Sequence, residues 1–320
     1  MRVTNNMLVN NMVYNLNQNL RALEKLQYQK ATGKKFRVPS DDPIGVSKSL
    51  KFHTDISKIE QYHRNAEDAL SWMTDTEAAL NEIGTVLKRA MDLTKDAANG
   101  TKTGEDLKKI KEEVDQLREH LIQIGNTTYS GRHVFSGYKT DEKLFDDDGM
   151  YNIELDKDEI FEYNIGVSEK VKVNTIGTKV FGVVGWDDEK IVGDPDFISG
   201  VDENGTEQKP YLIAVLDELS AALDSGNDPE ALQNAMGNLD KCHEQVLSVR
   251  SEVGAKMNRL ELTKKKLETQ HLGITELLSY NEDVDAGEIS MQISMAQNVY
   301  VSSLMTGAKV IQPTLVEFLR

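Results

Sequence analysis

A single cysteine, six prolines and 6% aromatic residues are spread over 320 positions, and each scarcity removes a class of protein. One thiol cannot make an internal disulfide. Cys242 falls on an apolar helical seam, so it reads as a small buried hydrophobe rather than a redox group. Pro39, Pro43, Pro195, Pro210 and Pro229 sit at helix starts or outside helices, and Pro313 lies near the end; the long stretches between them are free to be helical. No run of 18 apolar residues occurs, so no membrane-spanning helix is expected. The polar, Asn-rich segment from Met1 to Asn11 lacks the basic-then-apolar order of a cleaved secretory signal. Taken alone, these absences favour a cytoplasmic protein, although export through an uncleaved N-terminus leaves the same trace.

Catalytic chemistry is equally thin. His53, His63, His120, His133, His243 and His271 show no metal-ligand spacing and have no second cysteine to help them. Solvated or half-buried helix positions account for most of them. Asp146-Asp147-Asp148-Gly149 invites a calcium loop, yet an EF-hand aligned on that glycine needs an acid at Leu144 and a glutamate at Leu155. A hairpin turn explains it better. No Gly-rich phosphate loop follows a strand and opens a helix. The expectation is no enzyme, no cofactor and no metal; an enzyme with its site in residues 138–210 is the weakest rival.

Charge is unevenly placed within a formal total of −16. Residues 1–40 hold seven bases and one acid, whereas residues 138–210 hold 19 acids and eight bases. An acidic chain argues against a nucleic-acid ligand. The central acidic block reads as a solvated outer surface, and the basic start as an ordinary solvated helix face.

What the chain has in quantity is helical period. Val9, Val13, Leu16, Leu20 and Leu23 form a stripe in the first 30 residues, and Ile289, Ile293, Ala296, Tyr300, Leu304, Gly307 and Ile311 form another near the far end. The first helix is expected from Asn5 to Ala31, ending at Gly33. Asp42-Pro43 then gives a cap and a first-turn proline. From there Ile59, Tyr62, Ala66, Ala69, Met73, Thr76, Leu80, Ile83, Leu87 and Ala90 carry an unbroken seam to Ala98, a rod of about 80 Å that Asn99-Gly100 ends as a C-cap pair. A return helix runs from Gly104, with Leu107, Ile110, Val114, Leu117, Leu121 and Ile124 on its seam, until Gly131 closes it. Helix resumes from Pro210 to Asp224. A second rod after Asp228-Pro229 carries Leu232, Ala235, Leu239, Cys242, Val246, Val249, Val253, Leu260, Leu267, Ile274 and Leu277 on its seam. After a polar break at Asn281 to Asp285, a terminal helix extends to Gln312. Between the halves, Val171–Val173 and Val180–Val184 read as strands, with turns at Asp148-Gly149, Gly185, Gly193-Asp194-Pro195 and Asn204-Gly205.

The fold class is therefore mainly α with an inserted β-rich domain, the N- and C-terminal halves forming a long antiparallel helical bundle. Residues 1–42 and 281–320 are expected to be terminal coiled-coil assembly helices, 43–133 and 210–280 the long bundle, and 134–209 the inserted outer domain. Antiparallel packing would bring both termini to one end and leave the acidic domain at the other. Burying the five apolar residues of the first stripe stabilises by less than the entropy cost of fixing about 30 backbone residues. The first helix is thus expected to be frayed in an isolated chain and to fold against other subunits. The assembly seam is Val9, Val13, Leu16, Leu20, Leu23, Ile289, Ile293, Tyr300, Leu304 and Ile311. A cytoplasmic coiled-coil adaptor shows the same heptads but has no reason to keep both termini together.

The segment from Ala31 to Pro43, ending Pro39-Ser40-Asp41-Asp42-Pro43, resembles the N-terminal motif of flagellin-like proteins, in the form typical of the hook–filament junction. Gln61-Tyr62-His63-Arg64-Asn65-Ala66 and Ala97-Ala98-Asn99-Gly100-Thr101 are similar to further stretches of that family. Ser130-Gly131-Arg132-His133-Val134-Phe135-Ser136-Gly137-Tyr138-Lys139-Thr140-Asp141 resembles the entry into the outer domain of the third hook-associated proteins. Asp283 to Leu319 resembles their terminal helix. The resemblance covers residues 1–141 and 210–320. It implies an extracellular structural subunit of the bacterial flagellum, exported through the type III apparatus without a cleaved signal peptide and bound beforehand by a chaperone. Such a subunit forms a ring between hook-associated protein 1 and the flagellin filament; a flagellin-type filament subunit is the alternative. Its partners would be itself, hook-associated protein 1, flagellin and the export chaperone. Arg37, Pro39, Ser40, Asp41, Asp42 and Pro43 would be the hinge between an inner layer of terminal helices and the next layer.

Overall fold

The computed structural model describes residues 5–99, 103–155, 159–183, 209–224 and 229–311. Along the chain come α1 (Asn5–Thr32), α2 (Pro43–Ala98), α3 (Gly104–Gly125), β1 (Thr128–Tyr129), β2 (Arg132–His133), β3 (Glu162–Asn164), β4 (Lys170–Lys172), α4 (Gly177–Phe181), α5 (Tyr211–Asp224), α6 (Pro229–Glu282) and α7 (Ala286–Ile311). They fall into two compact units, Met1–Ile59 with Thr269–Arg320, and Glu60–Glu268; α2 and α6 contribute to both. The fold is mainly α with a small β-containing region. Gly100, Gly185, Pro195, Asn204, Asp228 and Pro313, expected at turns and helix ends, lie outside the described residues.

In the Glu60–Glu268 unit the periodic seams become the core. Ala66, Ala69, Met73, Thr76, Leu80, Ile83, Leu87 and Ala90 of α2 are all buried, as are Leu232, Ala235, Leu239, Cys242, Val246, Val249, Val253, Leu260 and Leu267 of α6. Tyr62 is only half-buried, and beyond this unit the expected seam of α6 fails: Ile274 is half-buried and Leu277 is 52% exposed. Arg250 bonds Glu77 at 2.8 Å and Lys264 bonds Glu67 at 2.7 Å, which sets α2 and α6 antiparallel. The one polar seam residue, Thr76, returns its hydroxyl to the Trp72 carbonyl at 2.9 Å and so costs little to bury. α3 buries Leu107, Ile110, Val114, Leu121 and Ile124, and α5 packs on it, with the Ser220 hydroxyl donating to Asp115 at 2.7 Å.

Two expectations for this unit are corrected. α3 ends at Gly125, not Gly131. Asn126 stops it by donating its side-chain amide to the Phe145 carbonyl at 3.0 Å and accepting from the Phe145 N–H at 2.9 Å. Gly131 (φ 80°) follows Ser130 (φ 52°) in the two-residue turn of the β1–β2 hairpin. Over its described residues, 180–183, the run from Val180 is not a strand. Val180 and Phe181 belong to α4, held where the Gly177 N–H meets the Phe135 carbonyl at 2.8 Å. Val171, by contrast, lies in β4, paired with Tyr163 of β3. Aromatic contacts help order the described part of the insert: Phe181 meets Phe145 at 4.9 Å and Phe135 at 5.8 Å, both edge-on. Asp148-Gly149 forms a tight turn, flanked by the Phe145–Tyr151 bridge.

Candidate assembly surface

The Met1–Ile59 and Thr269–Arg320 unit is built around an antiparallel pair, α1 and α7. Leu23 packs on Ile289 and Ile293, with Leu26, Val284 and Ala296 partly buried around them. Farther along, the Asn19 amide donates to the Ser303 hydroxyl at 3.3 Å. Beyond that, the Met12 side chain fills the space a Cβ on Gly307 would need, so the helices approach closely there. Beside this contact runs an open groove of about 650 Å³ whose lining includes Leu8, Met12, Leu16, Val299 and Gly307.

Of the predicted seam residues whose side chains are described, three become buried together in one chain. Leu23 is 9% exposed, and Ile289 and Ile293 join it. Val9, Leu16 and Tyr300 are half-buried, while Val13, Leu20 and Leu304 are exposed, Leu20 at 46%. The side chain of Ile311 lies outside the described residues. The stripe therefore splits. Leu23 turns towards α7, whereas Val13 and Leu20, around the corner of the same helix, stay exposed. Sequence reading also missed a second apolar set on α7: Met291, Met295, Val299, Val301 and Met305, all exposed. The signal was present, since Glu288 and Lys309 are the only charged residues of α7 and none separates Ile289 from Ala308. These side chains alternate with the exposed polar residues Ser294, Asn298 and Ser302, so the face is uncharged and rich in apolar groups without being one unbroken patch.

The connector after α1 is a built clasp rather than a loose loop. Gly33 (φ 70°) ends α1 in the left-handed conformation glycine accepts without strain. Lys34 then pairs with Asp283 as an antiparallel bridge; the Lys35 N–H donates to the Glu282 carbonyl at 2.7 Å and the Val284 N–H to the Gly33 carbonyl at 3.0 Å. The Lys34 ammonium reaches Asp283 at 2.7 Å and Glu282 at 3.5 Å. The break between α1 and α2 is thereby tied to the break between α6 and α7. Of the predicted hinge residues, Arg37 lies over the Tyr28 ring at 5.2 Å, and Asp41 accepts from the Arg37 N–H at 3.1 Å and from Lys25 at 3.1 Å. Pro39 and Ser40 are exposed in the turn closed by the Asp41 N–H on the Val38 carbonyl. Asp42 accepts from the N–H groups of Ile44 and Gly45 at 3.1 and 2.9 Å, with Pro43 in the first helical position. A cap of this kind contributes about 1 kcal/mol. Sequence reading missed Lys34, Asn281, Glu282 and Asp283; the opposed charges of Lys34 and of Glu282 and Asp283 at the two breaks were the available clue. Asn281 secures the clasp by donating to the Gly45 carbonyl at 2.8 Å.

The electrostatics follow this geometry. Its hydrogen bond to Asp283 raises the Lys34 ammonium, and the same bond, with that from Ser279, holds Asp283 below the ordinary carboxylate range. The Arg37 backbone N–H and then Lys25 lower Asp41. Elsewhere, burial pushes the Cys242 thiol up to about 12. No cluster of three or more metal-ligating residues occurs among the described residues. His53, His63 and His120 instead face Glu282, Glu268 and Glu82 at 3.0–3.4 Å.

Comparison with known proteins matches α1 to α3, most of α6 and α7 to one family. The bacterial flagellin N-terminal helical region matches residues 3–140, and the bacterial flagellin C-terminal helical region matches residues 236–319. The chain belongs to the flagellin family. Within it, flagellar hook-associated protein 3 of Escherichia coli is 29% identical over 286 residues, covering 84% of this chain and 86% of that one. The Salmonella typhimurium protein of the same name is 24% identical over 318 residues, 96% of each. Salmonella derby flagellin is 31% identical over only 180 residues, 34% of its length. The chain is thus a homologue of flagellar hook-associated protein 3, within a family of structural flagellar proteins. Solved structures share its fold: Bacillus cereus FlgL is 23% identical with a TM-score of 0.55, covering 72% of this chain and 99% of that one. The flagellar junction protein FlgL from Legionella pneumophila is 18% identical with a TM-score of 0.56, covering 74% and 100%.

Proposed function

We propose that this chain is the structural subunit joining the flagellar hook, on its hook-associated protein 1 side, to the flagellin filament. In this reading α1 and α7 complete their packing only against neighbouring subunits. The observation that carries it is the exposed apolar face of that pair, which Leu23, Ile289 and Ile293 alone leave uncovered. Homology to hook-associated protein 3 along most of the chain, against a flagellin likeness confined to a third of the relative, favours junction over filament. The terminal helices form the inner layer, the clasp at Lys34 and Arg37–Pro43 the hinge, and the acidic insert the outside. A chain whose ends are incompletely satisfied alone suits export in an unfolded state without a cleaved signal peptide, the ends shielded by a chaperone until assembly. Replacing Leu16 and Leu20 with Asp tests the reading: junction assembly is lost while the Glu60–Glu268 unit keeps its fold. Motile cells with normal filaments would contradict it. A tagged chain gives one focus at the hook–filament boundary, whereas label along the whole filament would favour a filament subunit.

A further inference from the structure

Methionine is concentrated at the two ends of the chain. Of eleven, Met1, Met7 and Met12 lie in the first twelve residues, and Met291, Met295 and Met305 lie in α7. The exposed ones among the described residues are all on α1 or α7: Met7 at 52%, Met291 at 59%, Met295 at 58% and Met305 at 65%. Met73 and Met91, in the Glu60–Glu268 unit, are buried. Met291 and Met295 stand one turn apart on the same face of α7, and Val299 continues it by another turn. Thioethers of this kind adapt to irregular apolar partners, and they are also the side chains that peroxides reach most readily when exposed.

We propose that Met291, Met295 and Met305 form an oxidation-sensitive site, converted to sulfoxides by peroxides in the unassembled chain, and that this conversion blocks assembly. The sulfur lone pair attacks one peroxide oxygen. An S–O bond forms as the O–O bond breaks, sulfur loses two electrons, and the second peroxide oxygen departs as hydroxide, which takes the proton from the new S–OH group and leaves as water. Each event places a strongly polar S=O group on a helix face that carries no charge between Ile289 and Ala308. Packing that face then buries a polar oxygen without a built partner, which opposes association. Methionine sulfoxide reductases reverse the step, two thiols giving a disulfide and water as the thioether returns. Once assembled, the covered sulfurs are protected, so sensitivity is confined to the free chain. The coupling to assembly rests on the function proposed above; the site itself does not.

The test exposes the purified full chain to hydrogen peroxide, maps each methionine by peptide mass spectrometry and follows self-association by sedimentation. Met291, Met295 and Met305 should gain an oxygen before Met73 and Met91, and the associated fraction should fall. The M291L/M295L/M305L variant should associate normally before and after exposure, and reductase treatment of the oxidised wild type should restore association. Early oxidation of Met73 or Met91 overturns the site. Undiminished association of the oxidised wild type, or equal loss in the leucine variant, overturns the block. An untreated chain that never associates sinks the proposed function together with the block, while the order of oxidation still decides the site.

Discussion

Leu23→Ala and Leu20→Ala delete the same atoms from α1 about one turn apart, and their surroundings give them opposite consequences. Leu23 is 9% exposed between Ile289 and Ile293, so its truncation loses both transfer energy and packing. Large-to-small changes in cores cost about 2–5 kcal/mol; this small cluster near the surface belongs at the low end, about 2 kcal/mol. Leu20 is 46% exposed, and its truncation should stay within about 0.5 kcal/mol in the isolated chain. At tenfold per 1.4 kcal/mol, the open population of α1 rises about 30-fold for Leu23→Ala and about twofold for Leu20→Ala. Limited proteolysis at low protease reads that population directly, because cleavage then tracks the opening equilibrium. Assembly should respond to both, since Leu20 belongs to the face awaiting a neighbour. Equal cleavage of the two variants, or normal assembly of Leu20→Ala, would refute the division of this helix into an inward and an outward face.

Other consequences are independent of assembly. A Cβ on Gly125 would sit 2.3 Å from the Phe145 ring, so Gly125→Ala should cost about 1–3 kcal/mol and lower the thermal midpoint; an unchanged midpoint would contradict the packing. The Cys242 thiol, pushed up to about 12 by burial, should resist alkylation at pH 8 until the chain unfolds; rapid native labelling would be inconsistent with its place in the core. The clasp should loosen at both extremes of pH. Asp283 and Asp41 have lowered values, so their contribution is present above the unfolded value of about 3.9 and lost as pH falls through the folded ones. Lys34 is raised, so its contribution is full below about 10.4 and lost as pH rises through its folded value. Exchange of the Lys35 and Val284 amides should report both limbs, and Lys34→Met should flatten them; identical profiles in the variant would count against the clasp.

Legibility in the sequence tracks how local each cause is. The start of α2 was readable because Asp42 caps N–H groups within three residues and Pro43 suits the first helical turn. The long seams were readable because a period of 3.6 needs no knowledge of the partner. The end of α3 was not, since Asn126 finds Phe145 nineteen residues later. Nor was α4, whose turn depends on Phe135. The clasp pairs Lys34 with Asp283 across 249 positions, and only the fold brings them together. For the candidate surface, periodicity found the stripe but could not say which edge of it meets α7. Leu23 and Leu20 look alike in sequence and differ only in what faces them.

Amide exchange of residues 5–30, in the dilute isolated chain and again in the assembled state, addresses the central claim most directly. Protection in the isolated chain should be modest, strongest near Leu23 and fading towards Asn5, and should become extensive along the whole helix on assembly. Full protection of the same amides in a dilute monomer would contradict the account.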